Sequence, residues 1–258
     1  MVDISLVKKL RDMTGAGMMD CQKGLEETKG DLQQAVEILR KKGEKIALKK
    51  ADRRASEGVI ALTKSKNKVS VIILNCETDF VAKNKDFIKA SQEFSDKLLE
   101  LGREDFSVWA KNKIENELIV KIGENLQLGQ YEIIAGDILG YYLHSNNKLA
   151  TVVVLSQGSE ELAKEIAMHA TAMNPKYLAP ADVPTEIIEK EKEIYREQLK
   201  AENKPVEIIE KIIQGKLNKF YQENCLVKQT YIKDDKINIE KLLDESKAKI
   251  ASFQRFSV

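Results

Sequence analysis

An α+β chain of about two domains is predicted from three features of the residue pattern. Three helical runs, two of them opened by the capping residues Asp3 and Asp31, occupy the first ~40 positions. A strand–turn–strand–helix pattern begins at Glu57 and recurs about 81 positions later. A pair of apolar-striped, charge-laced helices follows Pro184. With 258 residues, 43% hydrophobic and 32% charged, there is enough apolar material to bury real cores and too much for a disordered chain.

The elements follow in order. Asp3 is placed to cap a helix bearing Leu6, Val7, Leu10 and Met13, which Thr14-Gly15-Ala16-Gly17 breaks. A second helix runs from Met18 to Glu27 and stops at Gly30. Asp31 caps a third, whose Leu32, Ala35, Val36 and Leu39 form one stripe to bury against the other two. Residues 1–56, with 13 basic and 9 acidic residues against 29 and 32 in the remainder, are read as a three-helix module with a basic connector. In the core, Val59 to Leu62, the turn Ser65-Lys66-Asn67-Lys68 and the β-branched run Val69 to Cys76 predict a hairpin. The helix after it carries Phe87, Phe94, Leu98 and Leu101 on one face. Ile138 to His144, the turn Ser145-Asn146-Asn147, Leu149 to Ser156 and a helix from Glu160 repeat the unit.

Two similar ββα-containing subdomains are therefore expected, at 57–135 and at 136–184 with 226–258. Between the parts of the second, 185–225 is predicted to be an αα-hairpin turning at Asn203-Lys204-Pro205, with Glu186/Lys190 and Glu207/Lys211 four apart. A protruding antiparallel coiled-coil arm and a helix pair lying on the core both fit that pattern. A short helix from Ile239 to Lys247 and a strand from Ser252 to Val258 complete the chain.

Composition and motifs exclude more than they assign. The 42 basic and 41 acidic residues nearly cancel, unlike a strongly basic nucleic-acid coat. Met1 to Lys9 has no apolar core segment and no later stretch approaches the ~20 apolar residues of a membrane span. A cytoplasmic location with no membrane partner is expected. Cys21, Cys76 and Cys225 are odd in number and far apart, so reduced, mostly packed thiols are expected. His144 and His169 lie in no HExxH and beside no paired cysteines, there is no GxSxG, and Gly15-Ala16-Gly17 leads into Met18-Met19-Asp20, not a phosphate loop. No catalytic residue, metal site or cofactor is expected, and the chain reads as a binding protein, not an enzyme.

Arg40 to Arg54 holds eight basic residues against Glu44 and Asp52, a run that could hold phosphates. No aromatic residue precedes position 80, so a stacking platform for single strands is missing there. A solvated connecting helix is favoured and nucleic acid is not the expected partner; an RNA-associated module using the 40–54 run is the alternative.

The repeat supplies an internal control. Ser70 to Leu74 lies over Thr151 to Leu155, and Thr78 over Ser159, each hydroxyl placed to cap the following helix. Asp79 maps onto Glu160, an acid at a positive helix end in both copies. Phe80 maps onto Glu161. Folding the unit does not demand an aromatic there, which leaves Phe80 open as a partner contact or a core side chain.

Several segments, in order along the chain, resemble a known family. They are Leu6 to Arg11, Met13 to Cys21 and Gly30-Asp31, then Asn75-Cys76-Glu77-Thr78-Asp79-Phe80-Val81-Ala82-Lys83-Asn84, then Ile166 to His169, Asn174 to Leu178, and Cys225-Leu226 to Gln229. The set is similar to bacterial elongation factor Ts, the guanine-nucleotide exchange factor of elongation factor Tu. The resemblance implies a UBA-like amino-terminal module, two similar core subdomains and a projecting coiled-coil hairpin. It implies elongation factor Tu, GDP-bound and nucleotide-free, as partner, and makes the arm a route by which two copies could pair. It assigns Thr78, Asp79, Phe80, Val81, Ala82 and Lys83 to the segment that intrudes beside the partner's magnesium site. It places Met18 and Met19 at a second contact, although as apolar residues opening a helix they also fit a core, and His144 in the interface. The turn Ser145-Asn146-Asn147 departs from the glycines common in the family.

Overall fold

Helices and antiparallel sheets alternate along the chain in the computed structural model, which describes residues 2–200 and 205–258. The chain divides into two compact units. Unit 1 comprises Met1–Ile134, Ser145–Leu149 and Phe256–Val258; unit 2 comprises Ala135–His144 and Ala150–Arg255.

Unit 1 opens with α1 (Ile4–Thr14), α2 (Met18–Glu27) and α3 (Leu32–Lys50). The predicted caps are present: the Asp3 carboxylate accepts from Ser5 N at 2.9 Å, and Asp31 from Gln33 N and Gln34 N at 2.9 and 3.1 Å. Val7, Leu10, Ala16, Cys21, Leu25, Ala35 and Leu39 form the buried cluster of the three helices. Met13, expected on the inner stripe of α1, is exposed, because the cluster closes at Leu10 and Ala16. The helix α3 continues through most of the basic run, and Ile46 and Ala47 near its end reach the sheet core.

The sheet of unit 1 has the order β1-β2-β3, built from β1 (Glu57–Ser65), β2 (Lys68–Cys76) and β3 (Gln127–Ala135). The hairpin pairs Ala61 with Ile72 and turns at Lys66-Asn67, with Lys66 at φ +47°. The single helix expected after Thr78 is broken in two. A one-turn α4 (Asp79–Ala82) stops, and α5 (Lys85–Lys113) starts afresh under its own cap, the Asn84 side chain accepting from Asp86 N at 2.8 Å. Gly102, at φ +75°, kinks α5, and a π-helical turn (Ile114–Leu118) leads into α6 (Ile119–Ile122). Phe87, Phe94, Leu98 and Phe106 are wholly buried against the sheet, and Phe94 meets Phe106 edge-on at 6.1 Å. Each such side chain contributes about 1.5–3 kcal/mol of burial, which makes this face a stiff support for whatever β2 leads into.

Unit 2 repeats the hairpin with β4 (Ile138–Leu143) and β5 (Leu149–Gln157), followed by α7 (Glu160–Met173). The repeat is not exact. Tyr142 pairs with Thr151, where an exact copy of Ala61↔Ile72 would place Val153, so the register is displaced by an even step and the inward face is kept. Two helices, α8 (Thr185–Lys200) and α9 (Val206–Asn224), share an apolar seam of Leu199, Ile213 and Leu217 with Ile188, Tyr195, Ile209, Ile212 and Tyr221. The expected turn at Asn203-Lys204 lies outside the described residues. A small β6 (Thr230–Tyr231) and β7 (Asp234–Asn238) pair, not anticipated from sequence, precedes α10 (Ile239–Glu245) and β8 (Lys249–Ser257), the latter completing the order β4-β5-β8.

Two buried polar side chains lock the second core. His169 Nε2 lies 3.1 Å from Gln229 Oε1, and its Nδ1 accepts from Ile232 N at 3.3 Å. That pattern requires the neutral ring protonated on Nε2. Burial holds its pKa below the ordinary 6.5. The unfolded chain therefore takes up a proton that the folded one refuses, and stability falls as the pH drops below 6.5.

Two predictions follow from this packing. A Cβ at Gly140 on β4 would lie 2.2 Å from the Ala163 carbonyl carbon, whereas one at Gly215 on α9 meets nothing within 4 Å. Gly140→Ala should lower the unfolding free energy by about 1–3 kcal/mol and Gly215→Ala raise it by about 0.5–1 kcal/mol in urea titrations. Repeated from pH 8 to 5, the same titrations should show wild-type stability declining below pH 6.5, with His169→Phe losing up to about one proton's worth of that slope, ~1.4 kcal/mol per pH unit.

Candidate functional site

The strand β2 ends at Cys76, and the chain then needs to leave the sheet and start a helix within two residues. Thr78 makes that transition as N-cap, with extended φ/ψ of −124° and 154° and its hydroxyl accepting from Val81 N at 3.4 Å. Ser159 does the same before α7, at −129° and 156°, accepting from Leu162 N at 3.2 Å. The two starts are conformationally equivalent, so the cap itself is structural. What differs is what the turn carries.

Five of the expected residues are sorted by the turn. Ala82 is buried and Val81 packs against the same sheet core. Asp79 and Lys83 close a surface ion pair of 2.6 Å, and the hydrogen bond from Lys83 holds the Asp79 carboxyl below its ordinary pKa. Phe80 is 82% exposed. A benzyl group held out in water while its chain neighbours are buried or paired has no role in the core of its own unit.

The turn is held from below by Glu124 and its neighbours Gly123 and Asn125, which no motif in the sequence marks. Gly123, at φ +83°, ends α6, its N–H bonded to Ile119 O at 2.9 Å, and this turns Glu124 toward Thr78. The half-buried Glu124 carboxylate accepts from Glu77 N at 2.9 Å and Thr78 N at 3.1 Å through Oε2, and from the Thr78 hydroxyl at 2.6 Å through Oε1. The exchange is reciprocal, since Asn125 N donates to Glu77 Oε1 at 2.6 Å. Arg53 stands 3.6 Å from the other Glu77 oxygen, and its carbonyl accepts from the Asn125 side chain at 2.7 Å. Beneath them the Cys76 thiol donates to Thr78 O at 3.2 Å, and burial, with the Glu124 and Glu57 charges, pushes its pKa up to about 12.

Met18 and Met19 stand elsewhere in unit 1, on α2, whose buried Cys21 and Leu25 belong to the three-helix cluster and not to the core under Val81. Both are exposed, at 40% and 64%, which excludes the core role that their position also allowed. His144 lies in unit 2 just past β4, half-buried, with Nδ1 3.3 Å from the Tyr142 hydroxyl. The basic run is largely helical, and three of its cations are engaged within unit 1: Lys42 with Asp20, Lys50 with Gly123 O, and Arg53 with Glu77. Among the described residues no group of three or more His, Cys, Asp or Glu could hold a metal, and no helix is long and apolar enough to cross a membrane.

A family model described as "Elongation factor TS" matches residues 77–258. The chain is 42% identical to an elongation factor Ts of Saccharophagus degradans, over 100% of this chain and 91% of that one. It is 41% identical to one of a Nitratiruptor species, over 100% and 93%, and 45% identical to one of Christiangramia forsetii, over 90% and 89%. The chain belongs to the elongation factor Ts family. It is a translation elongation factor, as the matched motifs imply. Not every family motif marks a functional site. The Ile166 to His169 and Cys225 to Gln229 stretches meet in the His169–Gln229 hydrogen bond, and Gln229 Nε2 also donates to Glu223 O at 2.9 Å, so both serve the core of unit 2.

Because Cys21, Cys76 and Cys225 are all buried with raised pKa values, labelling of the native protein by a thiol-specific disulfide reagent at pH 8 should be slow at every cysteine. Cys76 should react no faster than the sheet unfolds. Rapid labelling there would show that the 77–83 turn opens on its own.

Proposed function

We propose that this elongation factor Ts is a guanine-nucleotide exchange factor for elongation factor Tu, binding it GDP-bound and nucleotide-free, and that the Thr78–Lys83 turn drives GDP release. The observation that carries the reading is Phe80, 82% exposed on a turn whose Ala82 is buried and whose Thr78 amide and hydroxyl make three hydrogen bonds, two to Glu124 and one from Val81 N. An exchange factor needs no reactive group. It needs tighter binding to the nucleotide-free partner than to the loaded one, and linkage then weakens nucleotide binding by the same factor.

In this mechanism Phe80 enters an apolar pocket of elongation factor Tu, burial worth about 1.5–3 kcal/mol. The pocket exists only when helices carrying magnesium ligands have moved. Mg²⁺ requires near-ideal octahedral geometry at about 2.0–2.1 Å, so a small displacement of one ligand uncouples it and leaves the diphosphate charge poorly neutralised. Asp79, Val81, Ala82 and Lys83 shape and seat the turn, while exposed Met18 and Met19 supply a second contact and His144 a third.

In this reading α1–α3 are the family's UBA-like module within 1–56, the subdomains are 57–135 and 136–184 with 226–258, and α8 and α9 form its coiled-coil hairpin at 185–225. The shared seam of α8 and α9 supports the last assignment. The work is done in the cytoplasm, where translation takes place. With three of the eight cations of the 40–54 run engaged within the protein, an RNA-binding use of that run has less to support it.

The test is the rate at which elongation factor Tu releases a fluorescent GDP in the presence of wild type or Phe80→Ala. Losing the ring's burial should reduce the acceleration about tenfold or more. An unchanged acceleration removes Phe80 from the mechanism.

A further inference from the structure

We infer that Glu124 is the positioning residue of the exchange turn, holding the backbone that presents Phe80 through a relay across the Thr78 hydroxyl. The inference rests on the exchange reading above. It adds to it a residue about 46 positions away in sequence that does not itself present the ring.

The relay is read from donors and acceptors. The Thr78 hydroxyl has one proton, and at 2.6 Å from Glu124 Oε1 that proton is committed to the carboxylate. Its lone pairs are thereby aimed at the first turn of α4, where Val81 N donates at 3.4 Å. The other carboxylate oxygen takes Glu77 N at 2.9 Å and Thr78 N at 3.1 Å. One carboxylate thus fixes two successive peptide groups and the rotor of the cap that follows them, and hydrogen bonds to an ionised acceptor are the strong, geometry-setting kind. The return bond from Asn125 N to Glu77 Oε1 at 2.6 Å ties the carrier of Glu124 to the same backbone, so the two segments orient each other.

The second hairpin shows what the clamp adds. Ser159 caps α7 with the same φ/ψ as Thr78, and α7 continues for 14 residues with its own buried stripe to orient it. The α4 turn has four residues and only Ala82 buried, too little to fix its direction by packing alone. The carboxylate supplies that direction at the turn that carries an exposed ring. A ring whose backbone is already fixed binds more tightly than one that must be ordered at each binding event.

The experiment is a double-mutant cycle in the full chain: wild type, Glu124→Ala, Phe80→Ala and the double variant, with Glu124→Gln as a milder change that keeps one acceptor oxygen. Two readouts are taken, the acceleration of GDP release from elongation factor Tu and the amide hydrogen exchange of Glu77, Thr78 and Val81 in the free protein. Glu124→Ala should lower the acceleration about tenfold, with Glu124→Gln between it and wild type, and Glu77 and Thr78 should lose exchange protection while the amides of β1 and β2 keep theirs. Adding Glu124→Ala to Phe80→Ala should cost little more, since the two act through one ring. If Phe80→Ala is impaired but Glu124→Ala is not, or if the two losses multiply, the positioning role is overturned and the exchange reading stands. If Phe80→Ala exchanges like wild type, the exchange reading fails and the role of Glu124 falls with it. Loss of protection throughout β1 and β2 in both Glu124 variants would make Glu124 a general stability residue and also overturn the inference.

Discussion

A side chain that is to act on a partner must be exposed, and an exposed side chain has no packing of its own to hold it still. The structure meets this constraint by fixing the backbone on either side of Phe80. Below it, the Glu124 carboxylate collects two peptide N–H groups and a hydroxyl. After it, Ala82 is sunk into the core that Phe87, Phe94 and Phe106 build on the sheet. The large aromatic core of unit 1 and the small polar clamp at its edge are parts of one arrangement: the first makes the support rigid, and the second transfers that rigidity to a four-residue turn.

This arrangement explains why no reactive chemistry is needed. In the exchange proposed above, a stiff turn binds the partner state that has room for the ring, and the difference between two binding free energies is the driving force. Rigidity raises that difference, since less ordering remains to be done on contact. The buried, protonated thiols and the neutral His169 fit the same picture. They are packing groups with their reactivity suppressed, and the turn that carries Phe80 is where the first hairpin unit differs from the second, which has Glu161 at that place.

Much of this was legible in the residues, for identifiable reasons. Caps at Asp3, Asp31 and Thr78 follow from short-range rules, and the structure bears each of them out. Phe80 stood out because the repeat offers Glu161 at the same place, but whether it was a surface or a core side chain was open in the sequence, and the structure finds it exposed. What could not be read was long-range or compensated. Glu124 meets Thr78 across 46 positions, and nothing near Gly123-Glu124-Asn125 shows that its carboxylate is a backbone acceptor. The strand β3 escaped because none of its residues is fully buried and its half-buried and exposed positions do not alternate cleanly. The break at Asn84 was hidden because Asp79 to Lys97 has acceptable helical spacing, and only the competing cap on Asp86 N divides it. Met13 failed in the opposite sense: its periodicity is right, but a three-helix cluster is too small to reach it.

The central claim is that Phe80 discriminates between partner states. It is tested most directly by measuring equilibrium dissociation constants of wild type and Phe80→Ala for nucleotide-free and for GDP-bound elongation factor Tu. Discrimination by the ring requires Phe80→Ala to weaken binding to the nucleotide-free form by about tenfold or more, and to the GDP-bound form much less. Equal weakening of both would mean that the ring adds affinity without discrimination, and would contradict the claim.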